Sequence, residues 1–237
     1  MKNGFDEKLH DWSNKAALFC RSVIEDPDYE IDLFFYAFQS PPLSNPDLLI
    51  LGLNPHENGT YKDGCSAWGI KEMTALEMMK ENQFWLKKEG IKGREGHESW
   101  NIWRKLRKLF RENELKLILD SSVYMNLIYF NTNNFDEFIN KKGSNKVITK
   151  CKELTTDVIF NVIKPKSILC LSIPKCFDYI KGESLENLLP GGKKRLLMKK
   201  MINGVPVYGV PHVSGSRISN KEFDEIREML RNELLPK

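Results

Sequence analysis

The chain has 237 residues, of which 41% are hydrophobic and 29% are charged, and its formal net charge is +4. This length and apolar content suit one domain with a sizeable core, so we expect a single domain over 1–237, with 1–45 as an N-terminal helical extension. No stretch approaches the roughly 20 uncharged apolar residues of a membrane-spanning helix, and the opening residues lack a signal-peptide pattern. We therefore expect a soluble, intracellular protein without a membrane partner.

Alternating helices and strands are predicted along the chain. Apolar residues at spacings of three and four predict helices within 7–25, 73–86, 100–110, 147–162 and 219–235. Apolar runs bounded by turn residues predict four strands, over 46–54, 121–131, 166–172 and 205–211. The last helix begins with Ser219 and has Glu222 three residues later, which is a capping box. We expect an α/β fold with three layers, α/β/α, around a central, mostly parallel four-stranded sheet.

Polar side chains follow each predicted strand. They are Asn54, then Asn126 or Asn131, then Ser172, and finally His212. Ligands bind at the carboxyl ends of the strands in such sheets, so these groups are candidates for a binding site. An asparagine amide has one acceptor and two donor hydrogens, which complement a lactam edge such as uracil N3–H and O4. A histidine donor can stabilise negative charge that develops on a carbonyl oxygen.

Several common sites have no signature here. No glycine-rich dinucleotide or P-loop pattern follows a strand, and no Gly-x-Ser-x-Gly elbow is present. The five cysteines are scattered without a Cys-x-x-Cys pair, which speaks against disulfides and against zinc or iron–sulfur sites. The remaining histidines form no clear metal cluster, although Glu57 and Asp63 lie near His56. We expect no cofactor and no metal.

Basic residues are concentrated near the end of the chain. From Asn187 to Lys221 there is no acidic residue, whereas seven are basic: Lys193, Lys194, Arg195, Lys199, Lys200, Arg217 and Lys221. A second basic segment lies at 103–111. Such segments attract polyanions and favour a nucleic-acid partner, but a solvated helix face has the same composition.

Four motifs in order, LGLNP, YMNLIYFN, SILCLS and YGVPHVSGSR, resemble the uracil-DNA glycosylase superfamily. The closest resemblance is to its mismatch-specific and single-strand-selective branches, whose first motif has Asn where the best-known branch has Asp. The resemblance covers residues from about 46 to 221. It implies a monomeric DNA-repair hydrolase, in the cytoplasm or associated with the nucleoid. Such an enzyme flips a damaged base out of DNA and cleaves its N-glycosidic bond.

The resemblance also implies a role for each matching residue. Asn54 would hold the water that attacks the sugar C1′, and His212 would donate to uracil O2 and stabilise the leaving anion. Asn126 would bond the Watson–Crick edge of the extruded base. Trp68 would stack on the base, with Tyr61 as the alternative.

The DNA contacts are implied in the same way. A loop of Ser214, Gly215, Ser216 and Arg217 would contact phosphates and fill the gap that the flipped nucleotide leaves. The basic residues Lys193, Lys194 and Arg195 would bind DNA alongside this loop.

The chain departs from the family pattern at three positions. His56 stands where members usually have glycine, Val213 stands where they have proline, and Ser216 is small for a wedge, so Arg217 would fill that role. The first two departures favour an alternative, a non-catalytic member of the fold that binds nucleic acid or a nucleobase. A third possibility is a small-molecule enzyme on a flavodoxin-like sheet, but the phosphate-binding glycine loops that would support it are missing from the sequence.

Overall fold

The computed structural model describes residues 4–55, 96–132, 134–191 and 194–235. These residues form two compact units. The first unit contains the described residues within 1–44, 53–82 and 125–164, and the second contains those within 45–52, 83–124 and 165–237.

The strands form one six-stranded sheet. In chain order they are β1 (Leu49–Gly52), β2 (Val123–Asn126), β3 (Ile168–Leu171), β4 (Glu183–Gly191), β5 (Lys194–Ile202) and β6 (Val205–Val210). Their order in the sheet is β2-β1-β3-β6-β5-β4. The pairs β1–β3 and β3–β6 are parallel, and β5 pairs antiparallel with both β6 and β4. The predicted α/β class and the mostly parallel sheet are therefore confirmed, and each of the four predicted strands is present.

The sheet has two strands more than the four predicted, because β4 and β5 form a hairpin. The charged residues of β5 interrupt its apolar pattern, so their composition predicted a basic surface and not a strand. Lys199 instead pairs with Glu233 at 2.6 Å. Lys200 is buried, and its Nζ donates hydrogen bonds to the carbonyls of Phe177 and Ile180. Burial lowers the pKa of Lys200. These partners let charged side chains lie on a strand that also buries three apolar residues.

Among the described strands, β4 lies at the edge of the sheet and has β5 as its one neighbour. Three register shifts interrupt its pairing with β5. They lie between Glu183 and Glu186, between Asn187 and Leu189, and between Leu189 and Pro190. The edge is therefore irregular along most of its length.

Six α-helices accompany the described strands. They are α1 (Gly4–Glu25), α2 (Asn101–Leu109), α3 (Asn113–Asp120), α4 (Phe135–Phe138), α5 (Ser144–Asp157) and α6 (Asn220–Leu234). A short 3-10 helix spans His97–Ser99, and π-helical turns span Val158–Ile163 and Ile173–Phe177. The helix predicted within 73–86 lies outside the described residues. In the ranges that are described, no helix combines the length and hydrophobicity needed to cross a membrane.

The N-terminal segment contributes to the core of the first unit. The Trp12 ring packs edge-on against Phe38 and Tyr129, with centroid distances of 5.6 and 6.0 Å. Its indole N–H donates to the Leu154 carbonyl at 2.8 Å. Helix α1 is thus anchored both by aromatic packing and by a buried hydrogen bond.

The capping box of α6 gives a direct test of local stability. The Glu222 N–H donates to Ser219 Oγ at 3.2 Å, and the Ser219 N–H donates to Glu222 Oε2 at 2.6 Å, a contact that lowers the pKa of Glu222. We expect Ser219→Ala to lower the free energy of unfolding by about 1 kcal/mol in urea denaturation, because a helix N–H loses its acceptor. Ser216→Ala, on the exposed loop before the helix, is the control, and equal stability of the two variants would contradict the prediction.

Close packing at Gly209 gives a second test. A Cβ at this position of β6 would lie 2.5 Å from Cγ of the buried Phe177 ring. Gly209→Ala should lower the free energy of unfolding by about 1–3 kcal/mol, because the ring has to shift within a packed core. The control is Gly4→Ala, where a Cβ would meet nothing within 4 Å. A wild-type urea midpoint for Gly209→Ala would show that the ring moves freely.

Candidate functional site

The segments that follow β1 and β2 are joined by hydrogen bonds in the first unit. The Ile128 N–H donates to the Leu53 carbonyl at 2.8 Å, and the Thr132 N–H donates to the Pro55 carbonyl at 3.0 Å. The side chain of Asn54 uses Nδ2 in the same network, donating to Pro55 O at 2.8 Å and to Thr132 O at 2.9 Å. Two carbonyls therefore fix the orientation of this amide.

The amide orientation leaves the Asn54 oxygen as the group available for a ligand. Asn54 is half-buried, and within the described residues its Oδ1 accepts no hydrogen bond. A carbonyl oxygen can accept from a water molecule and hold it in place, but it is too weak a base to remove a proton from that water. Such an oxygen can position a water molecule but cannot activate it as a base.

Asn126 is the last residue of β2, and it is fully buried. Its backbone N–H donates to the Ala37 carbonyl at 2.7 Å, and its Oδ1 accepts from Gln39 Nε2 at 3.0 Å. Its Nδ2 has no hydrogen-bond partner among the described residues. A buried donor left unpaired costs about 1–3 kcal/mol, so its retention points to a ligand that supplies the acceptor. The alternative, Asn131, is also buried but lies five residues beyond the strand.

His212 lies two residues beyond β6 in the second unit, and its ring is held by its own loop. The Gly215 N–H lies 3.1 Å from His212 Nδ1, and Ser214 Oγ lies 3.2 Å from the same atom. A backbone N–H can only donate, so Nδ1 is the acceptor and the neutral ring carries its proton on Nε2. Val213, at the position where the family has proline, is buried in the hydrophobic core and anchors the loop there.

Ser172 follows β3, the neighbour of β6 in the second unit. Its φ of 123° is unfavourable for a residue with a side chain. The conformation is held because its N–H donates to the Val210 carbonyl at 3.0 Å and its Oγ accepts from the Lys175 N–H at 3.3 Å. The adjacent strands β3 and β6 are thus followed by a conformationally constrained serine and an oriented histidine, respectively.

The predicted DNA-binding residues differ in their surroundings. Arg217 is exposed and forms no ion pair with any described residue. Lys194 donates to the Arg217 carbonyl at 3.0 Å and lies 3.3 Å from a carboxylate oxygen of Glu222. Arg195 forms two hydrogen bonds to Asp178, at 3.0 and 2.6 Å. These acidic partners reduce the charge that Lys194 and Arg195 offer to a phosphate. The loop residues Ser214, Gly215 and Ser216 are partly or fully exposed.

The structure places the predicted site residues in separate groups. Asn54 and Asn126 belong to the first unit, whereas His212, the 214–217 loop, Lys194 and Arg195 belong to the second. Three others lie outside the described residues: Tyr61, Trp68 and Lys193. His56, which departs from the family pattern, lies outside them as well. Gln39 is not among the site residues predicted from the sequence. Its only sequence signal is a lone polar side chain after an apolar run, which does not identify a partner 87 residues away.

The His212 loop yields a testable prediction. In Gly215→Ala the added Cβ would lie 3.2 Å from His212 Nδ1, so the ring and the loop have to separate by a few tenths of an ångström, which weakens the hydrogen bond between them. The complete hydrogen bond is worth about 1 kcal/mol, so weakening it should reduce the preference for the Nε2–H tautomer by up to about fivefold. Nitrogen-15 chemical shifts of the imidazole measure the tautomer ratio, with Gly4→Ala as the control. An unchanged ratio in Gly215→Ala would mean that the contact does not set the tautomer.

The chemistry available here is that of hydrogen-bonding groups. Across the described part of the chain, no group of three or more His, Cys, Asp or Glu side chains could hold a metal ion. In the first unit, the amides of Asn54 and Asn126 present donors and acceptors of the kind that suit the edge of a heterocycle, and in the second unit the His212 imidazole presents a donor. Comparison with protein-family models and with curated proteins returned no match.

Proposed function

We propose that the protein is a uracil-DNA-glycosylase-like hydrolase that binds an extruded nucleobase and cleaves its N-glycosidic bond in DNA. The proposal includes the three-layer α/β/α arrangement of that superfamily and a monomer acting on single- or double-stranded DNA. Asn126 is the observation that carries it, since a fully buried amide at a strand end keeps an Nδ2 donor without a partner among the described residues. An extruded base with a carbonyl group on its Watson–Crick edge would supply the missing acceptor.

In the proposed reaction, Asn54 positions the attacking water. Its Nδ2 is held by the carbonyls of Pro55 and Thr132, so Oδ1 accepts a hydrogen bond from the water. The water oxygen bonds to the sugar C1′, and the C1′–N bond breaks with its electron pair remaining on the base. The water proton passes to the solvent or to the departing base. Because the amide is a poor base, the reaction relies on departure of the base before full bond formation to water.

His212 fits the role that the resemblance assigns to it. Its Nδ1 accepts from the Gly215 N–H, so Nε2–H is the donor. A neutral donor fixed by the protein can stabilise the charge that develops on a base carbonyl oxygen as the glycosidic bond breaks. No metal and no cofactor take part in the proposed reaction.

The alternative is a protein of the same fold that binds nucleic acid or a free nucleobase without cleaving it. The pairing of Lys194 with Glu222 and of Arg195 with Asp178 favours its free-nucleobase form, because a smaller free positive charge weakens attraction to a long polyanion. His56, where the family has glycine, favours it as well.

A base-release assay tests the proposal. Labelled single- and double-stranded oligonucleotides with one uracil or hypoxanthine are incubated with the protein, and abasic sites are then cleaved and counted. We expect release by the wild type, and we expect Asn126→Ala and His212→Ala each to reduce it by about 100-fold or more, because each removes a donor to the base. Matched controls are Asn161→Ala and His10→Ala, at two exposed positions.

The outcomes separate the two functions. Base release by the wild type and both controls, but not by Asn126→Ala or His212→Ala, would support a glycosylase. If Asn54→Asp preserves or raises release, catalysis is real, since a carboxylate is a stronger base at the water. No release from any substrate, together with DNA binding that weakens as salt is added, would refute the hydrolase and favour the non-catalytic protein.

A further inference from the structure

Gln39 is a buried amide that contacts Asn126, the proposed base-binding residue, and takes no part in the proposed reaction. It is 8% exposed, and its Nε2 lies 3.0 Å from Asn126 Oδ1. We infer that Gln39 is a positioning residue that fixes the orientation of the Asn126 amide, so that the protein accepts bases with a lactam edge and rejects cytosine and adenine. This inference rests on the proposed base-binding role of Asn126.

The backbone fixes where Gln39 can reach. Phe38 forms an antiparallel bridge with Met125, and the Asn126 N–H donates to the Ala37 carbonyl at 2.7 Å. The segment of residues 37–39 therefore runs alongside the end of β2, which places residue 39 next to residue 126. All of these residues belong to the first unit.

The direction of the hydrogen bond decides what Asn126 offers to a base. A primary amide can turn by 180°, which exchanges its oxygen and nitrogen, and the atom that faces it selects one orientation, since a donor selects the oxygen and an acceptor selects the nitrogen. The Gln39 N–H donates, so Asn126 directs its oxygen toward Gln39 and keeps its two Nδ2 hydrogens for other partners. Within the described residues those hydrogens have none.

This orientation matches one kind of base edge. A carbonyl oxygen has two lone pairs, so Oδ1 can accept from Gln39 and also from a ring N–H. Nδ2, beside it, donates to a base carbonyl. Uracil and hypoxanthine carry a ring N–H next to a carbonyl, which fits this order. Cytosine and adenine carry a ring nitrogen acceptor next to an amino group. The ring nitrogen would face Oδ1, another acceptor, and the amino group would face Nδ2, another donor. Thymine shares the uracil edge, and the contact does not distinguish the two.

Substitution of Gln39 tests the inference through specificity. The probes are free uracil and free cytosine, titrated into nitrogen-15-labelled protein while the side-chain amide signals of Asn126 are followed. We expect the wild type to bind uracil at least about 100-fold more tightly than cytosine, because a site built for hydrogen bonds rejects a mismatched partner strongly. In Gln39→Met no partner selects an orientation, and the preference should fall below about tenfold.

Gln39→Glu makes the opposite substitution at the same position. The new carboxylate only accepts hydrogen bonds, so Asn126 should turn its Nδ2 toward it and offer its oxygen to the base. The preference for uracil should then disappear or reverse toward cytosine. Asn161→Ala, at an exposed asparagine, is the control and should keep the wild-type ratio. Urea denaturation shows which variants fold, and either Gln39 variant alone suffices for the test.

The ratio of the two affinities separates positioning from a merely structural role. If a Gln39 variant weakens both bases equally and keeps the ratio, the inference is wrong. A wild type that binds both bases alike, or neither, also overturns it. A wild type that prefers uracil, with the preference lost in the Gln39 variants, supports the inference even if no base is released from DNA, and only the hydrolase proposal then fails. Base release by the wild type with an unchanged ratio in the variants refutes the inference alone.

Discussion

The buried parallel pairing of β1, β3 and β6 is the constraint on which the rest of the structure depends. All residues of β1 and β3 are buried, and so are the last four residues of β6. Buried strands carry apolar side chains almost exclusively. Their backbone N–H and carbonyl groups bond to one another, so a buried polar side chain would find no hydrogen-bond partner there. Polar side chains are consequently excluded from these strands and gather where the strands end, at positions such as Ser172 and His212. The polar groups that could act on a ligand therefore lie at the strand ends, because the buried interior of the sheet excludes them.

Asn126 is a buried polar group that the fold keeps at a cost in stability. An apolar residue of similar size at the end of β2 would avoid an unpaired N–H in a fully buried position. Local rules of folding are commonly broken at functional sites, where the loss is compensated by the surrounding structure. Here the compensation is visible in the bond from Gln39 and in the backbone bond to Ala37, which hold the asparagine in place.

The amino-acid sequence predicted those parts of the fold that depend on neighbouring residues. Apolar runs between turn residues located β1, β2, β3 and β6, and the Ser219–Glu222 pair located the start of α6. The β4–β5 hairpin was missed because the charges of β5 are satisfied by tertiary partners, Glu233 for Lys199 and two main-chain carbonyls for Lys200. No local pattern carries that information. Asn54, Asn126 and His212 could be selected from their positions after strands, whereas the tautomer of His212 and the part played by Gln39 depend on hydrogen bonds that only the folded chain reveals.

The irregular edge of the sheet bears on how the protein behaves at high concentration. A regular edge strand exposes a row of N–H and carbonyl groups on which another chain can add a strand, and this is a common beginning of aggregation. β4 carries Leu185 with 64% of its surface exposed, the kind of side chain that would strengthen such an addition. The register shifts along β4 break up the row of hydrogen-bonding groups, and Glu183 and Glu186 place negative charge beside Leu185. The bulged, charged edge therefore disfavours fibril-like self-association of the folded chain, and a straightened, neutralised β4 would be expected to lose that protection.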